Sequence, residues 1–435
     1  MTQKLGLAVI VAGMGLAALV ISVSRNGGHG STHVDRPPID ELETLPYLTW
    51  VPTGKSEMRA GVSVHLPDRV SPGLNLYTSR DQALARLMEM DGRTVHSWSA
   101  KIDAGDTWQH VEKVGRGIFA IVKDKRLLRL SWDSQVQWSA RGRFHHDIAV
   151  DSAYTIFALT RADRLVFREW RPYIILDDRI ATLNSDGRVL DKTSLYDILK
   201  HRIDPERFEA ITEWVWSVGG LRTMLATFVS NRFLLMNGIP PDLIHTNSLE
   251  IVPRKVEGVC HKGDILLSIC ELNLVVILDR RTKSIVWEWG PGHLSKQHHP
   301  TQLDNGNILI FDNGVDRERS RVIEVDPRTN RIIWEYQGYP PGSFFSISRG
   351  AAERLRNGNT LITESDRGRV FEVDREGEIV WEFYNPRLSS DGKKRAAIYR
   401  MSRIEDTDAA LTGAPKAGID NTTGTQAMSP DYGGN

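Results

Sequence analysis

The spacing of its tryptophans constrains this chain more than any other feature. Trp287, Trp334 and Trp381 stand 47 residues apart, and each closes the same short pattern. The segments read VVILDRRTKSIVWEW, RVIEVDPRTNRIIWEY and RVFEVDREGEIVWEF, with Asp279, Asp326 and Asp374 at one shared point. A fourth copy, LARLMEMDGRTVHSW, carries Asp91 and ends at Trp98. Two looser copies follow the same plan: LLRLSWDSQVQW ends at Trp138, and IATLNSDGRVL has Leu190 where the tryptophan is expected. A period of 40–50 residues is the mark of a repeat architecture.

Each copy alternates apolar and polar residues with period two, which specifies strands with one face turned inward. The Asp-x-x-Thr or Asp-Gly step joins two such strands into a hairpin. A further strand pair precedes each copy, as in Asn305–Gly314 and Asn357–Ser365. Four strands of this length cannot bury both faces alone, and radial stacking of six such sheets does so. The expected fold class is therefore all-β, a six-bladed β-propeller over 60–406. The recurrent tryptophan is expected as a structural wedge between blades. Lys plus Arg and Asp plus Glu number 55 each, so no basic surface calls for nucleic acid. Cys260 and Cys270 are the two cysteines, too few for a disulfide framework.

The ends and one insertion interrupt the repeat. Leu5–Val23 is a stretch of nineteen residues without a charge, long enough to span a bilayer. The nearest small-x-small site after it is Ser22-Val23-Ser24, a weak one, so an uncleaved anchor is favoured over the alternative of a cleaved signal. Residues 1–25 are read as a membrane anchor and 26–59, with Pro37-Pro38, as a linker. Residues 407–435 are read as a disordered tail. The expected location is the bacterial inner membrane, single-pass, with the propeller on the periplasmic side. The insertion 194–237 carries helical patterns, with Trp214, Val218, Leu221, Leu225 and Phe228 at three- and four-residue steps. It is read either as a lid or membrane-resting surface, or as an insertion packed on the propeller's side.

Histidines cluster where the chain leads into the innermost strands. FHHDIAVD holds His145, His146 and Asp147; DLIHTNSLEIVP holds Asp242, His245 and Asn247; QHHPTQLDNGN holds Gln297, His298 and His299. Alignment on Asn-Gly-Asn sets Arg349 of the next repeat opposite Gln297, and Gly350 opposite His298. Loops at these points line the mouth of a propeller's channel. Converging imidazoles suit zinc or copper. They equally suit nucleophilic and acid–base chemistry near neutral pH.

At these residues the chain resembles the bacterial arylsulfate sulfotransferase family. The likeness covers about His145 to Tyr399 and is densest over Asp242–Phe383. The family's H-x-N-S motif stands as His245-Thr246-Asn247-Ser248. Its Q-H-x-x-x-x-L-x-N-G-N-x-L-x-F-D-N-G signature stands as Gln297–Gly314. The resemblance implies a periplasmic six-bladed propeller. It would move a sulfuryl group from an aryl sulfate to a phenol without a nucleotide donor, through a transient sulfohistidine. It implies His298 as nucleophile, with His299 adjacent. It implies His146 (His145 one register away) and His245 as proton donor and acceptor, and Asn247 as a donor to sulfuryl oxygens. One position departs. The family's S-x-R-x-x-N strand reads Ser268-Ile269-Cys270-Glu271-Leu272-Asn273, so a thiol stands where a guanidinium would stabilise equatorial oxygens. Arg349 is a candidate to supply that charge.

No phosphate-binding loop pattern and no cofactor are indicated. A competing reading is a non-catalytic envelope propeller that binds or assembles. A quinoprotein-like oxidoreductase lacks its calcium carboxylates and adjacent cysteines here. Substrate identities and oligomeric state are not legible.

Overall fold

The computed structural model describes residues 49–52, 59–212 and 240–405. Six sheets follow one another around a ring. Blade 1 joins Leu74–Ser79, Leu84–Met88 and Thr94–Ser99 to an inner strand, Ile398–Ile404, from the far end of the chain. Blade 2 runs from inner strand Trp108–Val114 to Val136–Arg141, and blade 3 from Phe144–Val150 to Val189–Ser194. Blade 4 runs from Thr246–Ile251 to Ile285–Trp289, and blade 5 from His298–Gln302 to Arg331–Gln337. Blade 6 runs from Ala351–Arg354 to Ile379–Tyr384 and takes Gly61–His65 as an outermost fifth strand. The pairing of Ile398–Ile404 with Leu74–Ser79 closes the ring and removes the edge that each would expose.

The core lies between blades. Ile277, Trp287, Ile308 and Val325 pack where blades 4 and 5 meet. Leu309, Phe311, Ile362 and Phe371 do the same for blades 5 and 6. Four of the five repeated tryptophans, all but Trp98, add a directional link. Trp287 donates its indole N–H to the Pro327 carbonyl at 3.1 Å, Trp334 to Arg375 at 3.4 Å, Trp381 to Met90 at 2.8 Å and Trp138 to Ser185 at 2.9 Å. Each acceptor lies in the outer hairpin turn of the following blade. Blade 3 has Leu190 at this position, and Leu190 is 60% exposed. There the link runs the other way: Arg280 of blade 4 bonds Asp151 at 2.8 Å and covers the Phe157 ring at 4.5 Å. The repeated aspartates fasten the turns, as where Asp279 accepts from the Arg281 and Thr282 N–H groups.

Blade 3 is enlarged. Its middle strands Ile156–Arg168 and Arg171–Leu183 form a 13-residue ladder. Helices α1 (Leu195–Leu199) and α2 (Pro205–Ile211) begin the insertion and pack there through Phe208, 5.0 Å from the Tyr173 ring. Ser194 caps α1, and Asp204 caps α2 ahead of Pro205. The stripe from Trp214 to Phe228 lies outside the described residues, as do Leu5–Val23 and 407–435. Trp50–Pro52, inside the stretch read as linker, pairs with Lys394–Ala396. Among the described residues no helix is long and apolar enough to cross a membrane.

Candidate functional site

The start of each inner strand and the turn between the second and third strands share one rim of the channel. At that rim the inner strands of blades 1 to 5 are irregular, with register shifts at Ile398/Met401, Trp108/His110, Phe144/Ile148, Thr246/Ser248 and His298/Thr301. His146, His245 and His299 adopt positive φ of 57°, 46° and 48°. Bulges re-aim side chains, and these three histidines sit at such irregularities.

His298 opens the inner strand of blade 5 and is 5% exposed. Its Nδ1 lies 3.0 Å from the Lys296 carbonyl and 2.8 Å from Asn313 Oδ1. Asn313 donates its Nδ2 to the Ser346 and Arg349 carbonyls at 2.6 and 3.0 Å, so its Oδ1 is an acceptor. Both neighbours of Nδ1 therefore accept, which places the proton on Nδ1 and the lone pair on Nε2. Burial lowers the His298 pKa to about 4, against the opposing Asn313 hydrogen bond, and the ring is neutral at pH 7.

His245 is held differently. Its Nδ1 meets Asp242 Oδ2 at 2.7 Å, and its backbone N–H meets Asp242 Oδ1 at 2.8 Å. Burial pulls this imidazole down, but the charge and hydrogen bond of Asp242 outweigh it and the pKa ends above the ordinary value. His146 stands edge to face against His245, with ring centroids 4.9 Å apart. Burial, then the neighbouring His145 and His245, keeps His146 neutral. Its Nδ1 is 2.6 Å from His145 Nδ1, and His145 Nε2 is 3.4 Å from Asp178 Oδ1. His146, His245 and His298, read from sequence on three blades, thus share one mouth. The pKa of His298 responds to His245, and that of His146 to His245.

His299 points elsewhere. Its Nδ1 bonds the Ala352 carbonyl at 3.0 Å, and it joins a layer with Asp147, His110 and Arg400. Arg400 grips Asp147 at 3.1 and 3.0 Å, and Ser248 Oγ and Leu249 N–H donate to the same carboxylate at 2.9 and 3.1 Å. Burial opposes ionisation of Asp147, but Arg400 and His110 bring its pKa to about 2. Asn247 spends one Nδ2 hydrogen on the Gln297 carbonyl at 2.9 Å, and its Oδ1 has no hydrogen-bond partner among the described residues. The Gln297 side chain bonds Ser268, Ile269 and Leu274 and fixes the approach to His298.

Sequence reading missed His110, Asp178, Tyr399 and Arg400, and the cations Arg80, Lys123 and Arg161. Aligning the inner strands directly would have brought out Gln109-His110 and Tyr399-Arg400. The Tyr399 ring is 6.2 Å from His146 and 5.6 Å from His110. Among the described residues, the group whose possible metal-ligand atoms gather within 4.8 Å is His261, Asp264 and Asp279, at turns on the opposite face.

The arylsulfotransferase (ASST) family profile matches residues 130–386. The chain belongs to the arylsulfotransferase family. No curated protein matches it significantly. Similar solved structures include a protein of unknown function from Bacteroides caccae, 13% identical with a TM-score of 0.46 over 76% of this chain and 98% of that one. A streptogramin B lyase is 12% identical at a TM-score of 0.43, over 82% and 98%. A catalytically inactive virginiamycin B lyase from Staphylococcus aureus with quinupristin is 9% identical at 0.41, over 79% and 99%.

In this member of the family the departure at Cys270 has a definite setting. Cys270 is buried at the end of the second strand of blade 4, and burial, reinforced by Glu271, raises its thiol pKa. Glu271 beside it bonds Lys296 at 2.7 Å and pairs with Arg207 of α2. The described part of the insertion therefore reaches the rim of blade 4.

Proposed function

We propose that this arylsulfotransferase transfers a sulfuryl group between phenols in two steps at His298. The observation that carries the reading is the fixed His298 tautomer, a neutral imidazole whose Nε2 lone pair lies on the side of the ring away from the Lys296 carbonyl and Asn313 Oδ1. In the first step Nε2 forms a bond to sulfur as the aryl O–S bond breaks. Protonated His245, sustained by Asp242, gives its proton to the leaving phenolate. In the second step neutral His245 takes the proton of the acceptor phenol. The phenol oxygen bonds to sulfur, the N–S bond breaks, and the His298 imidazole is restored. His146 is available as an alternative base, and the second Nδ2 hydrogen of Asn247 as a donor to a sulfuryl oxygen. Arg349, at the mouth on blade 6, supplies charge from the other side.

The test is sulfate exchange between a chromogenic aryl sulfate and phenol, together with mass spectrometry of the protein exposed to donor alone. A one-sulfuryl adduct on the peptide containing His298 is expected, with exchange abolished in His298→Ala. An adduct on His299 instead, or undiminished exchange in the variant, would falsify the assignment. The stretch Leu5–Val23 supports a further part of the proposal, anchorage at the inner membrane with the propeller outside. Fractionation of cells and protease protection test it.

A further inference from the structure

The residue at the level where the second strand of each blade reaches the rim occupies a repeated place, although in blade 3 the strand runs on past it to Arg168. In three blades the hydrogen bonding makes the equivalence strict. Arg80 donates its backbone N–H to Ala397, Arg161 to Arg143 and Cys270 to His245, each time to the carbonyl just ahead of the inner strand. The cation missing from blade 4 is thus present on blades 1 and 3. Blades 1 and 4 face each other in a ring of six, so Arg80 stands across the channel from Cys270.

Arg80 is 7% exposed. Its Nε has no hydrogen-bond partner, and among the described residues no carboxylate pairs with its guanidinium. Its charged neighbours are positive. Burial and then Arg349 of blade 6 lower its pKa to about 10, and Lys123 of blade 2 is lowered to about 7 by burial, Arg161, Arg80 and Arg349. Arg161 is committed to Asp124, whose charge also acts on Lys123, and Arg349 lies 3.6 Å from Asp366, which leaves Arg80 as the member with no carboxylate among the described residues. A buried guanidinium among cations is unfavourable unless an anion joins it.

We propose that Arg80 and Lys123, beside Arg349, form a second anion subsite, which takes a carboxylate, sulfonate or phosphate carried by the aromatic substrate away from its reacting oxygen. The proposal rests on the reading of the mouth as a sulfuryl-transfer site. The sulfuryl group reacts at His298 on blade 5, and the aromatic ring reaches toward blade 1, past Tyr399. Donor and acceptor could each carry the second anionic group, because both ring systems occupy the mouth.

The test uses the full chain. Phenyl sulfate is compared with 4-carboxyphenyl sulfate as donor, and phenol with 4-hydroxybenzoate as acceptor, each against an uncharged partner. One charge-assisted contact predicts a preference of ~10-fold or more in kcat/KM for the carboxylated member of the pair that uses the subsite. Arg80→Gln is expected to bring that ratio close to one, and Arg80→Lys to restore part of it. Calorimetric binding of 4-hydroxybenzoate reads the subsite without turnover. Arg80-dependent binding by a chain that moves no sulfate upholds the subsite and removes the reaction. Turnover by the unaltered chain with no carboxylate preference in either arm overturns the subsite and leaves the reaction standing. A preference unchanged in Arg80→Gln also overturns it, and absence of both turnover and binding overturns both.

Discussion

His298 and His245 are the same residue type in one mouth, yet they are held in opposite states. His298 has two neutral acceptors behind it and is neutral down to about pH 4, while His245 has a carboxylate behind it and keeps its proton longer than usual. The reaction proposed needs both. The rate of sulfate exchange should therefore fall on the acid side through about pH 4, and on the basic side through a pKa above the ordinary histidine value. Asp242→Asn removes the charge that raises His245, and its basic limb should move to lower pH with the acid limb in place. A pH–rate profile of the two proteins checks this. A second residue-scale consequence concerns Glu250. Burial, reinforced by Asp147 and opposed by the Gln302 N–H, raises its pKa from 4.5 to about 8. The folded state then holds a proton that the unfolded chain has lost. This contribution to stability is full below about pH 4.5 and is lost as pH rises toward about 8. Glu250→Gln should raise Tm above pH 8 more than at pH 4, measured by thermal melts at both.

At the scale of elements, the tryptophan copies that look alike in sequence carry different loads. Trp98 and Trp381 are fully buried, Trp287 is 8% exposed, and Trp334 is only partly buried. Trp381 also bonds Met90 across the closing interface between blades 6 and 1. Trp381→Ala should cost about 3–5 kcal/mol, the range for a large buried aromatic, and Trp334→Ala clearly less. Chemical denaturation of both variants measures the difference, and equal losses would show that the copies are interchangeable after all. The same grading explains Leu190. With no indole to span the gap from blade 3 to blade 4, Arg280 spans it by an ion pair and a cation–π contact.

For the whole molecule, closure of the ring and assembly of the site are one event. Ile398–Ile404 completes blade 1 and also brings Tyr399 and Arg400 into the channel, where Arg400 meets Asp147 across 253 positions of sequence. A chain ending at Ala397 leaves Leu74–Ser79 without its inner neighbour and Asp147 without its guanidinium. It should lose cooperative unfolding and the near-ultraviolet circular dichroism of packed aromatics. Retention of both would mean that the ring is held by its inter-blade cores alone.

The six-bladed fold was legible because it is written in local terms: alternation of period two, an Asp turn, and a tryptophan at constant spacing. The histidines were legible because each lies in a short motif at the start of an inner strand. The partners of those histidines were not, since Asn313 and Asp178 come from later strands of the same blades and Tyr399 from blade 1 at the far end of the chain. Their meeting depends on how bulged strands turn around the axis, which no local pattern encodes. Position 270 marks the same division. Its sequence signal was the loss of a guanidinium, and the ring supplies the context for that loss by setting Arg80, at the same register, across the channel. Local alternation and turn chemistry select the blade, because they act between neighbours in the chain. Long-range closure selects the tautomers, charges and partners of the site, because those depend on groups that only the closed ring brings within reach.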